Sequence, residues 1–286
     1  MKKAPRGRNV AGIIPLAGWN NSFDFPWPDY LQPIRQGMLA LERSVYECAF
    51  AGCDSIWIVC GEDVAPIVKK RIGDYVLSPR YFEEKDFVKN KGYHEKWIPI
   101  FYTPLSQKDR DRRDSLGWSA LHGALMAFQL SDKMSQWVLP TKYFVSFPFG
   151  LYDTSFIREH RDAIRGPNSF FLSYQEKTVR DGLYLGFTFF PEDWPKFKHH
   201  VKNQCTGGSR DIPAQERWSS RHFTLDKIFD IDIISIDKRV EISEYYSLNT
   251  WEELQEYYSS GMKIPRPTRK FMKPYYHRRI IQNEEY

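Results

Sequence analysis

The sequence predicts an α/β fold with a mixed, mostly parallel central sheet flanked by helices. Three observations carry that expectation. Strand-like and helix-spaced runs alternate: residues 10–16 (VAGIIPL), 37–51 (GMLALERSVYECAFA), 55–60 (SIWIVC) and 64–72. The run SIWIVC is apolar throughout, as in a strand covered on both faces. Strand, helix, strand, helix in this order implies a right-handed crossover into a parallel sheet.

Each element has a local reason. Residues 10–16 are β-rich and end in Ala17-Gly18, a strand followed by a turn. In 37–51, Met38, Leu41, Val45, Cys48 and Ala49 fall at helical spacing, and Gly52 sits where a glycine closes a helix. Residues 97–102 (WIPIFY) form a third strand, after a charged, aromatic insertion over 81–96. Residues 115–130 (SLGWSALHGALMAFQL) read as a helix with Leu121, Ala124, Leu125 and Phe128 on one face, capped by Asp114 or Ser119. A fourth strand (142–147), a helix (154–164), two strands (169–174 and 183–190) and a helix (194–202) follow. A late strand at 231–236 precedes a helix at 250–259 capped by Asn249 or Thr250. Residues 204–220 read as a mobile loop.

The 286 residues, 42% apolar, suffice for one large domain. It runs from 10 to 260, between a basic leader (1–9) and a basic, aromatic C-terminal tail (261–286). No apolar run reaches the ~18 residues of a membrane span, and MKKAPRGRNV lacks an apolar signal core. The expectation is a soluble, cytoplasmic protein with no membrane contact. Cys48, Cys53, Cys60 and Cys205 lack metal spacing, and Cys48 and Cys60 read as core. The net charge of +5 comes largely from the two ends. The tail, KIPRPTRKFMKPYYHRR, is either a solvated end or an arm that contacts nucleic acid or protein.

Several motifs, in order, resemble those of the nucleotide-sugar pyrophosphorylases, the sugar-phosphate nucleotidyltransferases of Rossmann-like GT-A type. Leu16-Ala17-Gly18 ends the first strand, and Pro28-Asp29-Tyr30-Leu31-Gln32-Pro33-Ile34 matches the family's P-K-x-L-x-P-I. Met38-Leu39 and Glu42-Arg43 match its following helix start, and 51–56 (AGCDSI) its entry to the second strand. Gly117-Trp118-Ser119-Ala120 stands at the nucleobase-facing G-T-A, Glu176-Lys177 at the sugar-phosphate E-K, and Gly186 on the strand lining the sugar pocket. Residues 247–254 (SLNTWEEL) resemble the closing D-I-N-T motif.

The resemblance implies that Leu16, Ala17, Gly18, Trp19, Asn20 and Asn21 form a nucleotide-binding loop, with Gly117 and Ser119 on the base. Backbone N–H groups of such a loop would face phosphate. Glu176, Lys177 and Gly186 would bind substrate. Two aspartates in the family, after the fourth strand and in the closing motif, hold Mg2+ that bridges the reacting phosphates. This sequence departs from that pattern. Asn20, Asn21, Ser22 and Asp29 replace glycine, threonine, arginine and lysine. Ser247 replaces the closing aspartate, and Asp153 comes several residues after the fourth strand.

Other readings stand beside these. Gly18 to Asn21 also suit a plain turn, since Asn tolerates positive φ. Asp29 suits a surface carboxylate or an acceptor for a sugar hydroxyl. His122 reads as a packing residue, and Glu176-Lys177 as an exposed charge pair. Asp153 reads either as a helix cap or, with Asp230 and Asp232, as part of a rebuilt metal site. His199-His200 with Cys205 fit zinc poorly, because adjacent helical residues point apart. No catalytic residue is assigned. The functional expectation is sugar-phosphate nucleotidyl transfer, or binding of a nucleotide or nucleotide-sugar. The alternatives are a GT-A sugar transferase and a non-catalytic binding or assembly module.

Overall fold

A computed structural model describes residues 9–16, 23, 25–79, 97–105, 116–207, 225–229, 238–262 and 264. The first half of the chain contributes β1 (Val10–Pro15), β2 (Pro33–Arg35), β3 (Met38–Leu39), α1 (Ala40–Phe50), β4 (Ser55–Gly61), α2 (Ala65–Ile72), β5 (Tyr75–Leu77) and β6 (Trp97–Leu105). Then come α3 (Leu116–Met134), β7 (Lys142–Val145), β8 (Gly150–Leu151), α4 (Arg161–Arg165), β9 (Phe170–Ser173) and β10 (Phe187–Phe189). The last elements are α5 (Trp194–Gly207), α6 (Leu225–Phe229), β11 (Lys238–Glu241), β12 (Tyr246–Ser247) and α7 (Trp251–Ser260).

Among the described residues, eight strands form one sheet in the order β11-β9-β10-β7-β1-β4-β6-β5. β1, β4, β6 and β7 are parallel, as their unbroken apolar runs require. β10 runs against both β7 and β9, β11 runs with β9, and β5 runs against β6 at the edge. The mixed, mostly parallel α/β architecture is therefore the observed one.

Close backbone approach sets the helices on both faces. A Cβ on Gly12 would lie 2.9 Å from Cys48 Sγ, so α1 packs tightly on one face of β1. A Cβ on Gly123 would lie 2.8 Å from Ile13 and 2.7 Å from Val59, so α3 packs tightly on the other. Cys48, Cys53 and Cys60 are all buried in this core. Gly52, at φ +78°, closes α1 in the left-handed region that favours glycine.

Several boundaries differ from expectation. α1 starts at Ala40 rather than 37, because β2 and β3 pair as a short hairpin and Glu42 accepts the Leu39 N–H at 2.7 Å. Ser119 lies inside α3 and does not cap it, and Asp114 lies outside the described residues. The helix expected over 154–164 is a 3-10 turn, Ser155–Arg158, followed by α4. Asp153 accepts both the Ser155 N–H and its hydroxyl at 2.8 Å, a local bond that competes with helix. Of the two caps expected for α7, the structure selects Thr250, whose Oγ1 accepts the Glu253 N–H at 3.3 Å. β5 and β11 were not anticipated, being short and, in β11, mostly polar. The insertion at 81–96, the strand at 231–236, residues 208–220 of the expected loop, and residues 1–8 and 265–286 lie outside the described residues. Among the described residues, no helix is long and apolar enough to cross a membrane.

Candidate functional site

The strand directions place one edge of the sheet apart. β9 opposes β10, which opposes β7, so β9 and β11 point the same way as β1, β4, β6 and β7. All their carboxyl ends share that edge. β1 is where the chain order reverses, with β4 and β6 on one side and β7 on the other. In open α/β sheets ligands bind at such a switch point.

Leu16 follows β1 at this edge, buried, its N–H donating to Val59 O at 2.7 Å. Ala17, Gly18, Trp19, Asn20, Asn21 and Ser22 lie outside the described residues. Asp29 is buried at 1% exposure, so it is not a surface carboxylate. On α3, which leads away from the same edge, a Cβ on Gly117 would lie 2.5 Å from Ile228 Cδ1, and Ser119 is fully buried. Gly117 is thus a packing contact with α6. His122 is half-buried on the same helix.

After β7 the chain runs through Ser146 and Phe147 to β8, which pairs antiparallel with β12, Gly150 opposite Ser247. The Leu248 N–H donates to Phe149 O at 2.7 Å. The two segments matched to the magnesium aspartates are therefore hydrogen-bonded neighbours. Their side chains are not carboxylates: Phe147 and Phe149 are buried, and Ser247 stands in the second. Asp153 is exposed and engaged with Ser155. Asp230, Asp232 and the Cys205 side chain lie outside the described residues. Among the described residues there is no group of three or more His, Cys, Asp or Glu placed to hold a metal ion.

Beneath this floor lies a polar cluster that the sequence reading missed. Arg43 and Glu47, one turn apart on α1, are both fully buried and paired at 3.2 Å. The Arg43 guanidinium also donates to Ser44 Oγ at 3.2 Å and Phe147 O at 2.5 Å, and lies 4.6 Å from the centre of the Tyr152 ring. The Glu47 carboxylate accepts from the Ser146 and Tyr152 hydroxyls. Burial and the Glu47 charge push the Tyr152 phenol well above its usual range. A Cβ on Gly186 would lie 2.8 Å from Glu47 Oε1 and 3.0 Å from Phe144, so Gly186 admits the strand to this cluster. The signal was present in the sequence: two opposite charges four apart on the helix LERSVYECA.

Glu176 and Lys177 sit on an exposed tight turn after β9, closed by reciprocal bonds between Tyr174 and Lys177 at 2.9 and 3.0 Å. Gln175 and Glu176 take φ +49° and +65°, left-handed values that cost non-glycine residues energy. Glu241 fastens the turn, accepting from Ser173 Oγ at 2.5 Å and from the Glu176 N–H at 3.4 Å. Bonding to Ser173 first, then to backbone N–H groups, holds the Glu241 carboxyl below its usual range.

Beside this turn opens a cavity of about 300 Å³. Tyr174, Tyr245 and Tyr246 form its walls, with Ser247 at the β8–β12 pair. Glu244, Glu253 and Glu256 supply carboxylates. Burial pushes the Tyr245 and Tyr184 phenols up, and the Glu253 charge adds to this. The cavity was also missed, although acids and tyrosines are dense in EISEYYSLNTWEELQEYY.

No protein-family profile matches the chain, and no curated protein matches its sequence. Solved structures do match. One, from Bacillus anthracis, is described as a glucose-1-phosphate thymidylyltransferase in complex with sucrose. It is 9% identical, with TM-score 0.55, over 91% of this chain and 98% of that one. A UDP-glucose pyrophosphorylase complexed with UDP-glucose is 13% identical, with TM-score 0.52, over 88% of this chain and 98% of that one. At these identities the likeness is one of fold: the chain has the nucleotidyltransferase fold.

Proposed function

We propose that this nucleotidyltransferase-fold chain binds a nucleotide or nucleotide-sugar at the carboxyl edge of its sheet. The observation that carries the reading is the Leu248–Phe149 bond with the β8–β12 pair, which joins chain segments about a hundred residues apart at the switch point. Leu16, Gly117, Ser119, Gly186 and the Glu176–Lys177 turn belong to the same edge. In this reading Ala17 to Asn21 offer backbone N–H groups and amide side chains to phosphate, and Lys177 offers a point charge. The UDP-glucose bound by the pyrophosphorylase of like fold supports the ligand class. A cytoplasmic location, and contact of the tail at 263–279 with nucleic acid or protein, belong to the same proposal and rest on composition.

Sugar-phosphate nucleotidyl transfer and GT-A sugar transfer are the two enzymatic forms of the reading. Ser247 in place of the closing aspartate, and Asp153 displaced several residues beyond the fourth strand, favour a form without the family's magnesium site, including a binding module that retains the fold.

A thermal-shift screen of nucleoside triphosphates and nucleotide-sugars, each with and without Mg2+ or Mn2+, tests the proposal. A ligand at a hundred times its Kd should stabilise the fold by about 2.7 kcal/mol. If no nucleotide or nucleotide-sugar raises the melting temperature, the proposal fails. A shift with one nucleotide-sugar and no triphosphate would favour sugar transfer over nucleotidyl transfer.

A further inference from the structure

The cavity between the Tyr174 turn and α7 has a chemistry of its own. Among the described residues lining it no side chain is cationic, while three are carboxylates: Glu244, Glu253 and Glu256. A phosphate there would meet like charge from three carboxylates and no lining cation to offset it, which disfavours the phosphate end of a nucleotide-sugar as the occupant. Its walls are tyrosine faces, with the Tyr174 and Tyr245 rings 5.7 Å apart and inclined by 35°. Ring faces carry negative charge density and attract cations. Burial keeps the Tyr245 phenol neutral. Ser247, which lines the cavity at the β8–β12 pair, is 5% exposed. Its Oγ is placed as a side-chain hydrogen-bond partner of the Tyr245 phenol, short of normal geometry, and a hydroxyl so engaged keeps capacity for a second polar partner. The volume of about 300 Å³ admits a sugar-sized group.

We infer that this cavity takes a protonated amine, presented by an amino sugar or by a free diamine. The carboxylates neutralise the ammonium, the tyrosine rings cover its flanks, and Ser247 is placed to bond a neighbouring polar atom. Where the amine is part of an amino sugar on a nucleotide, the inference rests on the edge site proposed above, with the diphosphate at that edge and the sugar in the cavity. A free diamine needs no such site.

Calorimetric titration of the full chain separates these cases. The probes are UDP-glucosamine, UDP-glucose, UDP-N-acetylglucosamine and putrescine. The variants are Glu253→Gln/Glu256→Gln and, separately, Glu244→Gln. Glu244 and Glu256 are exposed and Glu253 half-buried, so the fold should survive, and a melting curve checks it. The expected result is UDP-glucosamine binding about tenfold tighter than the two neutral-sugar ligands, with parity restored in the double variant. If UDP-glucose and UDP-glucosamine bind the native chain equally, the inference is overturned while the nucleotide reading stands. If no UDP-sugar binds but putrescine does, and loses affinity in the variants, the cavity is an amine site and the nucleotide reading loses its support. If no probe binds, the amine inference is overturned, and the nucleotide reading is decided by the thermal-shift screen across bases.

Discussion

Arg43 and Glu47 form an ion pair with no solvent exposure on either side chain, 3.2 Å apart and one turn apart on α1. Through Phe147 O, Ser146 and Tyr152 the pair fastens the segment after β7 to that helix. Removing one partner strands the other charge in the core. Arg43→Met or Glu47→Leu should each cost about 3–5 kcal/mol. The double variant Arg43→Met/Glu47→Leu should cost less than the sum of the two, because neither charge is then left alone. Urea unfolding of the three proteins measures this. Additive losses would mean the pair is not coupled.

Gly150→Ala tests the β8 junction. A Cβ there would collide with the backbone carbonyl of Tyr184, which cannot rotate away as a side-chain tip can. The expected loss is at least about 1–3 kcal/mol, in the range of overpacked cores. Because Gly150 faces Ser247, ligand affinity at the edge should fall as well. Stability close to that of the native protein would show that β8 and Tyr184 are further apart than described.

Lys142 is 2% exposed, and its ammonium donates to three carbonyls: Ile164 at 2.7 Å, Gly166 at 3.1 Å and Asn168 at 2.5 Å. From the first residue of β7 it therefore closes the end of α4 and the turn that follows it. Lys142→Met keeps most of the stem and leaves those carbonyls without their charged donor, at about 1–3 kcal/mol or more. Faster amide exchange over residues 161–168 than over β1 should accompany the loss. Uniform exchange would count against a local role.

The pH dependence has two arms. Glu241 titrates below its usual range, so its contribution is present above the unfolded pKa of about 4.3 and is lost as pH falls through the lower folded value. Amide exchange at Gln175 and Glu176 should therefore accelerate on acidification, and at neutral pH in Glu241→Gln. At the alkaline end, burial pushes the Tyr257 phenol up to about 12, and it raises Tyr152, Tyr184 and Tyr245 too. Folded pKa values above the unfolded one, about 10, mean full stability below that pH and loss as pH rises through the folded values. Tyrosinate absorbance should thus appear together with unfolding. Titration of these tyrosines in a folded chain would contradict their burial.

The sequence by itself determined the architecture. Apolar runs such as SIWIVC can only be buried on both faces, and helix spacing between them forces parallel pairing with crossovers. Gly52 marked the end of α1, because only a residue without a Cβ takes its φ cheaply. The order of partial motifs also led to the nucleotidyltransferase fold. What tertiary structure decided is which distant residues meet. Gly186 and Gly117 are small because Glu47 and Ile228 approach them, from 139 and 111 residues away along the chain, a fact with no local signature. That Arg43 and Glu47 would be buried together was not legible either, since spacing reports that two side chains share a face but not what covers it. The acidic tyrosine cavity exists only because β12 returns to β8 and sets α7 beside the Tyr174 turn. Periodicity reports burial and direction within one element; the contacts that make a site are set by packing between elements.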